Sequence, residues 1–158
     1  MQRVPMTPEG HAQLTKELKY HKEVLRMKIV QDIEEARAHG DISENSEFED
    51  AKHRQALCEG RIRELEGKLA ACEVIDVTRI TASDRVIFGV TVAIEDTDTD
   101  EEMRFKIVGT DEADVKQGRI SVTSPLGRAL VGREAGDEVT VQTPSGVRNL
   151  VINEVHYI

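Results

Sequence analysis

The chain has 158 residues and a formal net charge of -9, with 39% hydrophobic and 32% charged residues. It is too apolar for a disordered chain and too charged for a membrane protein. The negative charge argues against wrapping of duplex DNA, and the absence of Trp argues against aromatic stacking platforms for single-stranded nucleic acid. No signal peptide or membrane-spanning run is visible, so we expect a cytoplasmic protein without a membrane partner.

The first half of the chain predicts two long helices over residues 8–73. Thr7 followed by Pro8 is typical of a helix N-cap with proline at the first helical position. Apolar residues then recur every three or four positions, and the pattern breaks near Gly40. We predict an antiparallel helical hairpin that protrudes, with arms about 45 Å long for roughly 30 helical residues. Cys58 and Cys72 are both placed on the second helix, too far apart for a disulfide.

From Val74 onward the period becomes that of β-strands, with β-branched residues in short runs. The predicted strands cover residues 74–77, 85–94, 103–108, 120–122, 138–142 and 147–155. A short helix over 126–131 follows Ser124 and Pro125. These elements indicate a compact α+β domain. The sequence therefore predicts a coiled-coil domain over residues 1–75, with an acidic tip near 41–44, and a second domain over 76–158.

Two segments are rich in acidic residues, 40–50 and 95–102. The second has Asp at alternate positions, as a calcium loop begins, but Glu101 stands where such a loop needs Gly and Ile107 where it needs Glu. We expect segment 95–102 to be a solvated hairpin loop.

The first acidic segment lies at the predicted hairpin apex, where Asp41 and Glu44 are three residues apart. One interpretation is that these acids complement a helix dipole. The other is that a carboxylate pair at the end of a long arm completes a Mg²⁺ site whose other ligands lie on a partner. Arg37 and Lys52 are expected to share a level behind the apex, where they either form ordinary ion pairs or contact phosphates. The residue pattern alone favours ion pairs.

Several segments resemble the bacterial Gre transcript-cleavage factors, specifically the GreA type. The similarity runs from Pro5 to the C-terminus with little apparent gap, and its segments are specific as a set rather than singly. The matching segments are Glu35–Phe48, Cys58–Ile62, Val74–Asp76, Arg85–Gly89, Ile107–Gly109, Asp111–Asp114, Ser121–Pro125 and Ala129–Gly132.

This resemblance implies an antiparallel coiled coil followed by an α+β domain like the FK506-binding proteins (FKBP-like). It also implies a factor that binds bacterial RNA polymerase and inserts its coiled coil through the secondary channel. There it would stimulate the polymerase's own Mg-dependent cleavage of the backtracked RNA 3′ end, releasing fragments of two or three nucleotides. The protein would then be no enzyme itself and have no cofactor of its own.

The resemblance also assigns roles to individual residues. Asp41 matches the acid that stabilises the polymerase's second Mg²⁺, and Glu44 the acid that positions or deprotonates the attacking water, so both would bind Mg²⁺ only in the complex. The predicted RNA-binding residues behind the tip are Arg37, Lys52 and Arg54; the family commonly has Arg at the position of Lys52. The predicted polymerase-binding residues are Ser124 and Pro125.

Three alternatives remain. Glu47, Glu49 and Asp50 make the tip more acidic than cleavage requires, and Gre-like homologues with extra tip acids can inhibit polymerase. A prolyl isomerase would need an aromatic-lined pocket, which the second half does not supply. A coiled coil that dimerises would satisfy its seam between chains, whereas we expect a monomer because the hairpin pairs with itself.

Overall fold

The computed structural model describes residues 3–38 and 46–158. The fold is α+β, as predicted. The chain divides into two compact units, one of residues 11–71 and one that joins residues 1–10 to 72–158. In the described residues, none of the helices combines the length and apolarity that a membrane span needs.

The first unit is a hairpin of two long helical arms. The first arm consists of α1 (Pro8–Tyr20), a π-helical segment (His21–Leu25) and α2 (Arg26–Ala38), and the second arm is α3 (Ser46–Ala71). Arg61 of α3 pairs with Glu17 and Arg54 with Asp32, so the arms run antiparallel, as predicted. The π-helical segment was not predicted. Its carbonyl at His21 accepts the Arg26 N–H and lies 3.7 Å from the Cys58 sulfur.

The hairpin has a narrow apolar seam. Its buried cluster comprises Ile29, Cys58 and Ile62. Leu18, Leu25 and Ile33 pack against that cluster and are partly buried. These residues are those that the three- and four-residue spacing placed on one face of each helix.

The first residues of the chain form β1 (Val4–Met6), which pairs in parallel with β2 (Cys72–Val74). The sequence placed Cys72 at the end of a helix, and that was wrong: it begins β2 and is buried. Thr7 caps α1 as predicted, since its hydroxyl oxygen accepts the Gly10 N–H at 3.1 Å. The carboxylate of Glu112 accepts the Thr7 N–H at 3.1 Å, a contact within the second unit.

The second unit is built on a five-stranded sheet in the order β5-β4-β3-β7-β6. Neighbouring strands are antiparallel except for β4 and β5. Its strands are β3 (Thr91–Asp96), β4 (Glu102–Val108), β5 (Arg119–Ser121), β6 (Glu138–Thr143) and β7 (Gly146–His156), and its helix is α4 (Pro125–Leu130). Short 3-10 turns cover Val77–Arg79, Thr110–Glu112 and Val115–Gln117.

Two predicted strands are shorter than expected. The strand over 74–77 ends at Val74, because Val77 begins a 3-10 turn capped by Asp76. The strand over 85–94 begins only at Thr91. Val86 is fully buried, but its backbone bonds to the turn at residues 132–133 rather than to the sheet, and Gly89 has a φ of 92°.

The core of the second unit is much larger than the hairpin seam. Alternate residues of β3, Val92 and Ile94, are buried, as a strand with one face on a core requires. The buried cluster comprises Val77, Val86, Val90, Val92, Ile94, Ile107, Ile120, Leu130, Val139, Val141, Leu150 and Ile152.

Residues 97–102 of the acidic segment are exposed, as predicted, but Asp96, the last residue of β3, is not solvated. Asp96 is only 3% exposed. Its carboxylate accepts the backbone N–H of Asp98 at 2.8 Å and the guanidinium of Arg148 at 3.0 Å. These donors hold the pKa of Asp96 below its usual value, with the Asp98 N–H the largest contributor.

Candidate functional site

In the sequence, the predicted acidic tip falls between the residues of the two helical arms. α2 ends at Ala38 and α3 begins at Ser46. Asp41 and Glu44 both lie outside the described residues. Their assignment as metal-stabilising and water-positioning acids therefore stays a prediction, and the geometry that can be described is that of the helix ends behind them.

Two of the predicted RNA-binding residues are available at the surface. Arg37 is exposed near the end of α2, and Lys52 is exposed in the second turn of α3. The Lys52 ammonium donates to the side-chain oxygen of Gln55 at 3.1 Å. Neither residue forms an ion pair with a described residue, so pairing with Glu49 or Asp50 does not account for these two cations.

Arg54 is placed differently from these two residues. Its Nε donates to Asp50 and its Nη1 to Asp32, each at 3.1 Å. Asp32 lies on α2 and Asp50 on α3, so the guanidinium joins the two arms. The hydrogen bond to Asp32 is the largest of the effects that raise the pKa of Arg54 above its usual value. The third predicted RNA-binding residue is therefore already engaged by two carboxylates.

Two further arginines join the arms below Arg54. The Nε and Nη2 of Arg26 each donate to a different carboxylate oxygen of Glu59 at 2.8 Å. Arg61 likewise donates through its Nε and Nη2 to the two carboxylate oxygens of Glu17. Both carboxylates have a pKa below the usual value, in each case chiefly through the arginine hydrogen bond. A series of arginine–carboxylate pairs therefore joins the two arms at successive positions along the hairpin.

Ser124 and Pro125, the predicted polymerase-binding residues, begin α4. The Ser124 hydroxyl accepts the Gly127 N–H at 3.1 Å and donates to the Ser121 carbonyl at 2.7 Å. Pro125 occupies the first helical position, as predicted. Gly127 is required here because a Cβ would lie 2.2 Å from the Ser121 carbonyl oxygen. The start of α4 is thus fixed by its own local hydrogen bonds.

Both residues line a cleft of about 380 Å³ between α4 and the sheet, which the sequence analysis missed. Its walls are mostly apolar. The lining includes Met103, Phe105, Val115, Ile120, Leu126, Val141, Pro144 and Leu150. Met103 and Phe105 alternate along β4, which places both on one face of the sheet, and that spacing was the available signal.

The described residues also bear on metal binding. In residues 3–38 and 46–158, no group of three or more His, Cys, Asp or Glu side chains is arranged to hold a metal ion.

Comparison with known proteins identifies both halves of the chain. A family model described as "Transcription elongation factor, N-terminal" matches residues 4–74, and one described as "Transcription elongation factor, GreA/GreB, C-term" matches residues 81–157. The chain is 55% identical to the transcription elongation factor GreA of Hyphomonas neptunium over 157 residues, covering 99% of each protein. It is 50% identical to that of Haemophilus influenzae over 158 residues, covering 100% of each. Among solved structures it is similar to GreA factor homolog 1 of Thermus thermophilus, with 27% identity, 98% and 99% coverage and a TM-score of 0.44. The chain therefore belongs to the GreA/GreB family of transcription elongation factors.

Proposed function

We propose that this factor binds bacterial RNA polymerase, inserts its hairpin through the secondary channel and stimulates cleavage of the backtracked RNA 3′ end. The observation that carries the proposal is the family match over residues 4–74, a segment that contains the two acids Asp41 and Glu44. The hydrolysis is the polymerase's own reaction, and the factor supplies side chains to it. The nascent RNA 3′ end is then a partner only within the complex.

The two tip acids have distinct roles in this proposal. A second Mg²⁺ in the polymerase active site would neutralise charge on the phosphodiester and favour ionisation of a bound water. Carboxylate oxygens are the ligands that Mg²⁺ prefers, and Asp41 would supply one to a weakly held ion. Glu44 would orient the attacking water or accept its proton. An amide at either position keeps the shape of the side chain and loses the charge on which both roles depend.

The surface cations behind the tip suit contacts with RNA phosphates. Arg37 and Lys52 are exposed, and the charge of each is left unneutralised by the described carboxylates. Phosphate contacts fix the position of a nucleic acid without reading its sequence. We propose that these two residues hold the extruded RNA beside the tip carboxylates.

The cleft beside α4 is the proposed polymerase contact of the second unit. Ser124 and Pro125 stand at its rim, and its apolar walls offer a site for an apolar segment of the polymerase surface. This contact would hold the factor on the polymerase while the hairpin occupies the channel.

A cleavage assay tests the proposal. A backtracked bacterial elongation complex with end-labelled RNA would be mixed with the wild-type factor and Mg²⁺, beside Asp41→Ala and Glu44→Ala. Glu34→Ala is the control, since Glu34 is an exposed acid on α2 behind the tip. We expect rapid cleavage with the wild type and the control, and a loss of about 100-fold or more with each tip variant while polymerase binding is retained.

The same assay separates stimulation from inhibition. If the wild-type factor slows nucleotide addition and produces no cleavage, the extra acids Glu47, Glu49 and Asp50 make it an inhibitor, and the proposal is wrong. Loss of cleavage in the control to the same extent as in the tip variants would also count against specific roles for Asp41 and Glu44.

A further inference from the structure

We infer that Arg54 is a positioning residue, which joins the two arms behind the tip and neutralises Asp32 and Asp50, rather than an RNA contact. The inference that this affects cleavage rests on the proposed function. The inference that Arg54 joins the arms does not depend on the proposed function, and a separate experiment tests it.

The geometry of Arg54 is that of a bridge between helices. Its guanidinium reaches Asp32 of α2 and Asp50 of α3 through different nitrogens, each at 3.1 Å. Asp32 and Arg54 side chains are 29% and 40% exposed, so the contact is partly shielded from water. A planar guanidinium can hold two carboxylates at once, which the point charge of a lysine does less well. Of the described arginine–carboxylate pairs between the arms, this one lies nearest to the tip.

The surroundings of Arg54 are strongly acidic. A cavity of about 200 Å³ beside it is lined by the side chains of Asp32, Glu35, Glu47 and Asp50. Arg54 is the one cation among the residues that line it. Without this cation, carboxylates on opposite arms would face each other, and like charges at such short range repel. The arms should then separate or shift at the end that carries the tip.

This arrangement also bears on the extra acids of the tip region. Asp50 is one of the three acids that distinguish this tip from what cleavage requires, and its carboxylate is bound by Arg54. The charge of Asp50 is therefore partly neutralised by Arg54, which binds one of its two carboxylate oxygens. Binding of Asp50 by Arg54 favours stimulation of cleavage over inhibition.

Substitutions that neutralise charge separate a positioning role of Arg54 from an RNA contact. We expect Arg54→Gln to lower the cleavage rate at saturating factor about two- to fivefold, the size expected for a partly exposed ion pair. Adding Asp32→Asn and Asp50→Asn to Arg54→Gln should restore most of that rate, because the repulsion is removed. Lys52→Gln is the matched control. It should raise the concentration of factor that gives half-maximal cleavage, and adding Asp32→Asn and Asp50→Asn should not reverse that increase.

An RNA contact predicts the opposite pattern. Asp32→Asn and Asp50→Asn in the wild-type background would then release the Arg54 guanidinium and increase cleavage, and Arg54→Gln would not be rescued. Either result would overturn the inference.

Thermal unfolding of the full chain gives a readout that does not depend on polymerase. A double-mutant cycle with Arg54→Gln and Asp32→Asn should show that the two changes together lower the melting temperature less than the sum of each alone. If the two changes in melting temperature simply add, the inference that Arg54 joins the arms through Asp32 is wrong. If the wild-type factor stimulates no cleavage, the proposed function fails, while this cycle still decides whether Arg54 joins the arms.

Discussion

The two units of this chain are stabilised in different ways. The second unit, called the sheet unit below, buries a large cluster of β-branched and leucine side chains, many of them fully inaccessible to water. The hairpin buries a narrow seam around Ile29, Cys58 and Ile62, and arginine–carboxylate pairs join its arms on the outside. Loss of apolar contacts should therefore affect the sheet unit most, whereas changes in salt and pH should affect the hairpin most.

The largest expected effect is that of a cavity in the sheet unit. Ile152→Ala should destabilise that unit by about 2–5 kcal/mol, because Ile152 is fully buried in a core that can relax only partially. The matched change Ile62→Ala in the hairpin should cost less, since helices beside solvent can close on the smaller side chain. Native-state hydrogen exchange reports each unit separately. Equal losses of protection in the two units would contradict the comparison.

A smaller effect is expected for the cap of α4. Ser124→Ala removes the acceptor for the Gly127 N–H and should destabilise the start of the helix by about 0.5–2 kcal/mol. Faster hydrogen exchange confined to α4 and weaker polymerase binding would be observed. Ser145→Ala, in the exposed turn between β6 and β7, is the control and should change neither. Unchanged exchange in Ser124→Ala would show that the cap does not stabilise the cleft wall.

Salt should distinguish the hairpin from the sheet unit. Arg61→Met removes the ion pairs of Arg61 with Glu17 on the other arm and with Glu64 on the same helix. The Arg61 and Glu17 side chains are 34% and 31% exposed, and the loss should cost the hairpin about 0.5–1 kcal/mol at low salt. The difference from wild type should shrink in about 1 M NaCl, where charges are screened within about 3 Å. Arg63→Met, at an exposed position of the same helix, is the comparison variant. A salt-independent loss would mean that Arg61 acts through packing alone.

The smallest effect is a dependence of hairpin stability on pH. Glu17 and Glu59 have pKa values lowered from the usual 4.5 by hydrogen bonds from arginine. Their contribution to stability is therefore present above pH 4.5 and is lost as the pH falls through the lowered pKa of the folded state. The protection of the α3 amides, which is their exchange rate compared with that of an unfolded chain at the same pH, should fall between about pH 5 and pH 3. The double variant Glu17→Gln and Glu59→Gln should show a flatter profile, and identical profiles would contradict the role of these pairs.

Much of the fold was predictable because it depends on local signals. The seam of the hairpin followed from apolar spacing, and the caps at Thr7 and Ser124 followed from a hydroxyl residue beside proline. Pairing between distant residues was not predictable in this way. β1 forms because Val4 pairs with Cys72, far along the chain, and Val86 stays outside the sheet because its backbone bonds to residues 132–133 of a later turn.

The candidate site was predictable to a similar extent. The exposed cations Arg37 and Lys52 were recognisable from their positions near the tip. The engagement of Arg54 was not, because its partner Asp32 lies on the other arm and the sequence does not fix which residues of the two arms face each other. The cleft beside α4 was missed because its walls come from four separate strands and a helix.

The central claim is that the tip of the hairpin supplies carboxylate ligand charge to Mg²⁺ in the polymerase. A titration of Mg²⁺ against the rate of RNA cleavage in a backtracked complex tests it most directly, with no factor, with the wild type and with Asp41→Asn. We expect the wild type to lower the concentration of Mg²⁺ at half-maximal rate. Asp41→Asn should remove that shift while still competing with the wild type for polymerase. The same Mg²⁺ dependence with and without the factor, or an unchanged shift in Asp41→Asn, would contradict the claim.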